Sequence, residues 1–414
     1  LSSRVSLHTT SQPCSYTRLP SRSIDLEDLD FHLLVSCFHM RTERWPPGQP
    51  PPHRRSRTLP GCAPGTFDTG TLRAHVPRID APALITVTHP RGIHLPEADL
   101  WLDPPFAAEH AFVSHAHSDH VGRHRHVYCT ALTEAIMRER YRIGKKTVFH
   151  PLPLRTPTPW GDWEMNLLPA GHIAGSAMLH LTRKTDSSTL LYTGDYKLSQ
   201  GLSAERCELR PADVLIMETT FGRPHYRFPA RETVIDQIRT FASQTLSQQK
   251  IPLLLGYSLG KAQEILGALS GLDAPVMAHE SVIKMTQIIA PHMGSLPTLR
   301  PFDAAQAAGH VLVFPPHVSR TSELQALPTR KAMVTGWALD ARAKYQYRVD
   351  ELIPLSDHAD YPELLQTVDT VKPRRTYLVH GFVQEFGTDL RARGWDARSL
   401  GREDQLELDI FTRP

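Results

Sequence analysis

Between Phe112 and Gly122 the chain reads FVSHAHSDHVG, which places His115, His117, Asp119 and His120 within six positions. Imidazole nitrogens and carboxylate oxygens at that density suit a divalent metal such as zinc, which at a catalytic site keeps one position open. In an extended loop, side chains at i and i+2 face the same way, so His115 and His117 share one ion. Asp119 and His120 lie past the turn and face a second. Two ions about 3.5–4 Å apart relieve the crowding and require further ligands from other loops at the same end of a sheet. Three candidates end apolar runs beside glycine: His172 in LPAGHIAG, Asp195 in LLYTGD and His380 in TYLVHG. The expected inventories are His115, His117, His172 and Asp195 for one ion, and Asp119, His120, Asp195 and His380 for the other. Zn2+ fits these ligands best, and Mn2+ is compatible with them. An isolated histidine is more often a core or surface residue, and His180, His225, His279 and His310 are read that way.

The elements that must carry these ligands are short strands bounded by turn residues. ALITVT (83–88), DLWLDPP (99–105), EHAFVSH (109–115), WEMNLLPAGH (163–172), AMLHLTR (177–183), STLLYTGD (188–195) and DVLIMETT (213–220) read as strands. ALTEAIMRERY (131–141) has helical spacing. From 225 to 330 the pattern changes to an amphipathic helix at 231–249, the strand IPLLLGYS and a second helix at 261–272. A strand–glycine–helix succession of this kind marks a parallel sheet and a small α/β unit of its own. VLVFPPH (311–317) and AMVTGW (332–337) add strands, and strand–loop–helix logic returns with DELIPLSDHADYPELLQTV (350–368) and RRTYLVHGF (374–382). A mixed α/β sandwich is expected.

Length and composition agree with this and exclude other classes. A chain of 414 residues, 40% hydrophobic and 21% charged, is globular in composition. No apolar run approaches the roughly 18 residues needed to span a bilayer. FHLLVSCFHM (31–40) follows an acidic stretch, so it is not read as an export signal. Five scattered cysteines without a C-x-x-C pair argue against a disulfide framework. A cytoplasmic location is expected. Residues 1–80 carry ten arginines, no lysine and seven acids, and the rest of the chain is formally neutral. Attraction to a polyanion must therefore come from local patches and metal ions. Residues 1–81, with PPGQPPPHRRSR at 46–57, are expected to be disordered. Their start at Leu1, with Met40 ahead of the Pro/Arg-rich run, raises the expectation that part of the segment stems from a misplaced gene start.

SHAHSDH at 114–120 resembles the signature loop of the metallo-β-lactamase fold, and His172 and the TGD of Asp195 resemble its next two ligand motifs. The resemblance extends to the nucleic-acid-processing branch that carries a β-CASP insertion. There an acid ends the strand before the insertion, like Glu218 in LIMETTFG. A histidine follows the insertion, like His358 in LSDHADYPEL, and another comes about twenty residues on, like His380 in LVHGF. The likeness covers roughly residues 82–414. It implies a metallo-β-lactamase αββα sandwich at 82–224 and 331–414, with a β-CASP α/β domain inserted at 225–330. TTFGRPHYRFP (219–229), LLGYSLGKAQEIL (254–266) and LSDHADYPELL (355–365) read much like the bacterial exonucleases associated with ATP-dependent DNA ligases. A histidine at the His380 position is also typical of RNA-cleaving members such as ribonuclease J and the pre-mRNA 3′-end endonuclease.

The resemblance implies a two-metal phosphodiesterase acting on DNA, an exonuclease in repair, with an RNA-processing ribonuclease as the alternative. A small-molecule hydrolase or a scaffold without catalysis fits the complete ligand set less well. His358 is the implied general acid, Glu218 orients it, and Asp119 steers the attacking water. An ATP-dependent DNA ligase or a helicase is the implied protein partner. For gripping substrate, GYSLGK offers backbone amides and Lys261 at a helix N-terminus, near Ser258. Ordinary capping by Ser258 with Lys261 in solvent is the other reading. Tyr226 and Arg227 are candidates to line the cleft between domains, and the run Arg138, Arg140, Arg142, Lys145 and Lys146 reads as a solvated face.

Overall fold

A computed structural model describes residues 82–340 and 343–401. The segment 1–81 and the expectation of disorder for it lie outside the described residues, as do the last residues of the return segment. Among the described residues the strands form three sheets. The first has five strands, β1 (Ile93–Leu95), β2 (Leu100–Leu102), β3 (His110–Phe112), β4 (His126–Cys129) and β5 (Val148–Pro151), in that order. Only its first pair is antiparallel. ALITVT does not form a strand; Thr88 makes an isolated bridge to His94, and the Ala83 carbonyl accepts from Arg183 and Ser188.

The second sheet contains β6 (Thr158–Trp160), β7 (Trp163–Pro169), β8 (Ala177–Arg183), β9 (Thr189–Tyr192) and β10 (Val214–Thr219). The third is wholly parallel and is made of β11 (Ile251–Leu255), β12 (Val276–Ala278), β13 (Leu299–Pro301), β14 (Val311–Phe314), β15 (Thr329–Val334) and β16 (Glu351–Ile353). The chain then returns to the second sheet with β17 (Arg375–Gly381) and β18 (Ala397–Ser399), giving the order β18-β17-β10-β9-β8-β7-β6. β15 and β16 belong to the third sheet, so the inserted layer runs past the expected boundary at 330, as far as Ile353. The reason is physical: both strands pair in parallel within the third sheet, β15 beside β11 and β16 beside β15.

The helices are α1 (Ala131–Arg140), α2 (Arg231–Ser247), α3 (Lys261–Leu269), α4 (Glu280–Ile289), α5 (Ser322–Gln325), α6 (Ala343–Tyr347), α7 (Tyr361–Val371) and α8 (Val383–Ala392). Their apolar faces decide the layers. Phe112, Leu102, Leu179, Tyr192 and Ile216 are buried between the first two sheets. Leu364 and Val368 of α7, with Phe386 and Leu390 of α8, cover the outer face of the second sheet. Ile136 and Met137 of α1 cover the first sheet together with Met285 and Ile289 of the inserted α4. Each fully buried side chain of this size contributes about 1.5–3 kcal/mol, so the layered core commits the sheets to face each other. Among the described residues no helix is long and apolar enough to cross a membrane.

Strand direction then fixes where chemistry can occur. β7 and β9 are both antiparallel to β8 and so run parallel to one another. β9, β10 and β17 are mutually parallel neighbours. The C-terminal ends of β7, β9, β10 and β17 therefore open at one edge, and the loops leaving them meet there.

Candidate metal centre

His115, His117, His172 and Asp195 come together as one buried group at that edge. Two glycines allow the approach. A Cβ on Gly194, whose φ is +54, would sit 2.6 Å from the Ser114 side chain, so only glycine lets Asp195 press against the histidine loop. A Cβ on Gly381, with φ of +70, would lie 2.4 Å from the Thr219 carbonyl.

The protons on these imidazoles are fixed from behind. His117 Nε2 lies 3.3 Å from the Leu259 carbonyl, and His172 Nδ1 lies 2.9 Å from the Asp357 carbonyl. Carbonyls only accept, so those nitrogens carry the hydrogen and the opposite ones present lone pairs. His115 Nδ1 is 2.9 Å from the Ser114 hydroxyl, whose own proton goes to Asp103. The opposite nitrogens converge: His117 Nδ1 is 3.1 Å from both His115 Nε2 and His172 Nε2. Three lone pairs facing one another repel, and a cation between them turns that repulsion into ligation. Nitrogens bound tetrahedrally at about 2.0–2.1 Å lie about 3.3–3.4 Å apart, close to the spacing found. The donor set therefore fits a divalent metal.

Asp195 sits between this group and the next. Its Oδ2 is 3.6 Å from His115 Nε2 and 3.3 Å from His120 Nε2, within reach of both groups. His120 Nδ1 is 2.9 Å from Asp103, which turns Nε2 toward Asp195 and toward Asp119 Oδ2 at 3.5 Å. His380 stands at the rim, exposed, with its ring centroid 5.9 Å from that of His120. The pairing of β10 with β17 skips it, since Glu218 faces Val379 and Thr219 faces Gly381. That bulge and a φ of +55 swing His380 out of the ladder toward the centre, a strained backbone of the kind found at functional sites.

Burial and charge act on the same groups. Burial, then the neighbouring His120, His172 and His117, holds His115 well below the usual imidazole value. His172 is lowered to about 3, by burial first and His358 next. Burial works against charge on His120 too, but Asp119, Asp195 and Asp103 outweigh it and raise its pKa well above the usual value.

The third constellation is Glu218 with His358. Glu218 is the penultimate residue of β10 and is buried; its Oε1 lies 2.9 Å from His358 Nδ1 and also accepts from the Tyr196 amide. His358 rests against His172, ring centroids 4.6 Å apart. Burial lowers its pKa, while Glu218 and then Asp195 raise it, for a net position of about 9.

The substrate-gripping expectation for Lys261 is corrected. Lys261 is buried, and its Nζ bonds Asp357 Oδ1 at 2.8 Å and the Leu355 carbonyl at 2.9 Å. It is occupied in holding the loop of His358. Ser258 does not cap α3 either. Gly260 is the N-cap, its amide donating to Gln263 Oε1, and Ser258 Oγ pairs with Ser281 Oγ at 2.8 Å. Tyr226 is fully buried among Phe221, Trp337 and Phe382, so it builds the joint beside the centre and offers no stacking face. Arg227 is exposed.

Asp103 is the functional residue that sequence reasoning missed. It ends the LWLD run before two prolines, the same strand-end format that marked the ligands, and that signal was available. Asp357 was missed as well, although it adjoins His358.

Residues 343–399 match the family model described as the Zn-dependent metallo-hydrolase RNA specificity domain. A probable DNA ligase from Opitutus terrae is 44% identical over 325 residues, covering 78% of this chain and 32% of that protein. The chain thus spans about a third of that relative's length. The human DNA cross-link repair 1A protein is 26% identical, over 64% of this chain and 27% of its own. An RNase J-like protein from Methanocaldococcus jannaschii is 26% identical, over 66% of this chain and 82% of its own. The chain belongs to the β-CASP family of the metallo-β-lactamase fold. In β-CASP terms the third sheet is the insertion, and α7, β17 and α8 fall in the matched specificity segment. Divalent metal binding follows from the match and from the donor clusters together.

Proposed function

We propose that this β-CASP protein is a nuclease that hydrolyses phosphodiester bonds of DNA, with two divalent ions, zinc by preference. His115, His117, His172 and Asp195 would hold one ion, and Asp119, His120, Asp195 and His380 the other. Such ions supply Lewis-acid activation of water and neutralise charge on the phosphoryl oxygens. The observation that carries the reading is the buried Glu218–His358 pair set against the ligand cluster. Glu218 binds the Nδ1 proton of His358 and keeps the imidazole charged. As the P–O bond to water forms and the P–O bond to the leaving strand breaks, His358 passes its Nε2 proton to the departing oxygen. Asp119, half-exposed at the mouth, accepts a hydrogen bond from the attacking water and orients it.

DNA is favoured because relatives of this chain are named as a probable DNA ligase, DNA cross-link repair proteins and a 5′ exonuclease. Exonuclease action in repair, in association with an ATP-dependent DNA ligase, is the specific form proposed. The second reading is RNA cleavage, favoured by the exposed His380 at the rim and by the RNase J-like relative. Matched single-stranded DNA and RNA, each labelled at both ends, decide between them and report polarity. DNA is expected to be degraded, with Asp119→Ala and His358→Ala each losing at least 100-fold in rate, the lower range for one acid–base group. RNA cleaved while DNA stays intact would overturn the substrate assignment.

A further inference from the structure

On the first sheet, apart from the histidine loop that follows β3, a second group of imidazoles gathers. β3, β4 and β5 contribute His110, His126 and His150. The register sets His110 beside His126 and His150 beside Tyr128. Because side chains alternate across a strand, all of them share the face of Phe112. His110 precedes His115 by five residues, about 16 Å of extended chain, so the group is separate from the catalytic ligands. His126 Nδ1 is 3.0 Å from His150 Nε2. The His110 ring stacks on His126 with centroids 5.1 Å apart, and Tyr128 stacks on His150 at 4.7 Å. The three imidazoles are half-buried, open to water and ions at the sandwich end.

We propose that His126 and His150 form a separate two-histidine binding site for a divalent transition ion, zinc or copper(II). The Glu109 carboxylate, 3.9 Å from His126 Nε2, favours the proton on that nitrogen. This is the carboxylate–histidine arrangement that orients metal-binding imidazoles. It leaves the Nδ1 lone pair aimed at His150. Two nitrogens on one ion at about 2.0–2.1 Å lie about 2.9–3.4 Å apart for angles between 90° and 109°. An ion can therefore replace the proton these rings share with little movement. Burial, then His126 and His110, lowers the pKa of His150, so its ring is neutral near pH 7, as ligation requires. The consequence is mechanical. β5 is the edge strand of its sheet, with Val148 and Pro151 exposed, and the ion ties it to β4.

Equilibrium dialysis of the full chain against zinc, with elemental analysis, tests the site without reference to catalysis. Wild type is expected to take up one ion per chain more than His126→Ala or His150→Ala. His150→Gln, which keeps a hydrogen bond to His126, should lose the same ion while melting at the wild-type temperature in chelator. Added zinc should raise the melting temperature of wild type more than that of each variant. Equal uptake by wild type and His150→Gln would overturn the proposal, as would uptake unchanged in either alanine variant.

Discussion

Asp103 accepts hydrogen bonds from the Ser114 amide at 2.7 Å, the Ser114 hydroxyl at 2.5 Å, His120 Nδ1 at 2.9 Å and the Tyr192 hydroxyl at 2.8 Å. Through Ser114 it reaches His115, so one carboxylate sets the proton positions of an imidazole in each half of the centre. Partners of this kind, one bond removed from the metal, typically contribute 10–100-fold in metal affinity. Asp103→Asn turns one accepting oxygen into a donor, which faces a hydroxyl or an N–H that also donates. Zinc affinity by chelator competition should fall by about 10–100-fold, with most activity restored at saturating zinc. Affinity within twofold of wild type would show that the network is idle. The ligands themselves were legible because HxHxDH has few uses other than metal binding. Asp103 carried the same strand-end signal, but its partners on the histidine loop and β9 meet it only in space, so the sequence marks the position without its role.

At the scale of elements, a buried ion pair is one of the contacts that fasten the insertion to the centre. Lys261, the first residue of α3, meets Asp357, whose carbonyl orients His172 and whose neighbour is His358. Burial disfavours both charges, and each partner offsets that cost for the other: Lys261 is lowered overall, and Asp357 is held well below the usual carboxylate value. Removing one member of a buried pair strands the other charge and costs about 3–5 kcal/mol. Lys261→Met should therefore lower the unfolding free energy from denaturant titration by that much and loosen zinc at His172, whereas a loss under 1 kcal/mol would mean that Asp357 finds another partner. Lys261 looked like a phosphate ligand because a basic residue after a glycine turn opens a helix in both cases. Burial distinguishes the two, and burial depends on the return segment almost a hundred residues on. The strands of the second sheet were readable from their apolar runs, since each run is bounded by turn residues. The end of the insertion was not, because β15 and β16 look alike whether they join the second sheet or the third.

The whole molecule gathers neutral imidazoles and carboxylates in one dry place, and this makes its stability depend on pH and on metal. His172 has a folded pKa of about 3 against an ordinary value of 6.5, and His115 is displaced in the same direction. Between those values the unfolded chain binds more protons than the folded one, so stability falls as pH falls. His120 and His358 are displaced upward, which makes their contributions complete below pH 6.5 and constant through this window. Asp195 and Asp357 are held low, so they add to the loss only once pH drops below the ordinary carboxylate range. Metal-stripped protein should accordingly lose about 3 kcal/mol from His172 alone between pH 6.5 and 4, at 1.36 kcal/mol per pH unit. Zinc needs the same unprotonated nitrogens and binds only the folded chain, so it should move the acid transition to lower pH. Thermal melts from pH 7 to 4, with zinc and with chelator, read both effects. A stripped chain whose melting temperature stays flat across that range would mean that His115 and His172 are not held neutral by the fold. The lone-pair cluster would then not be the cation trap described above.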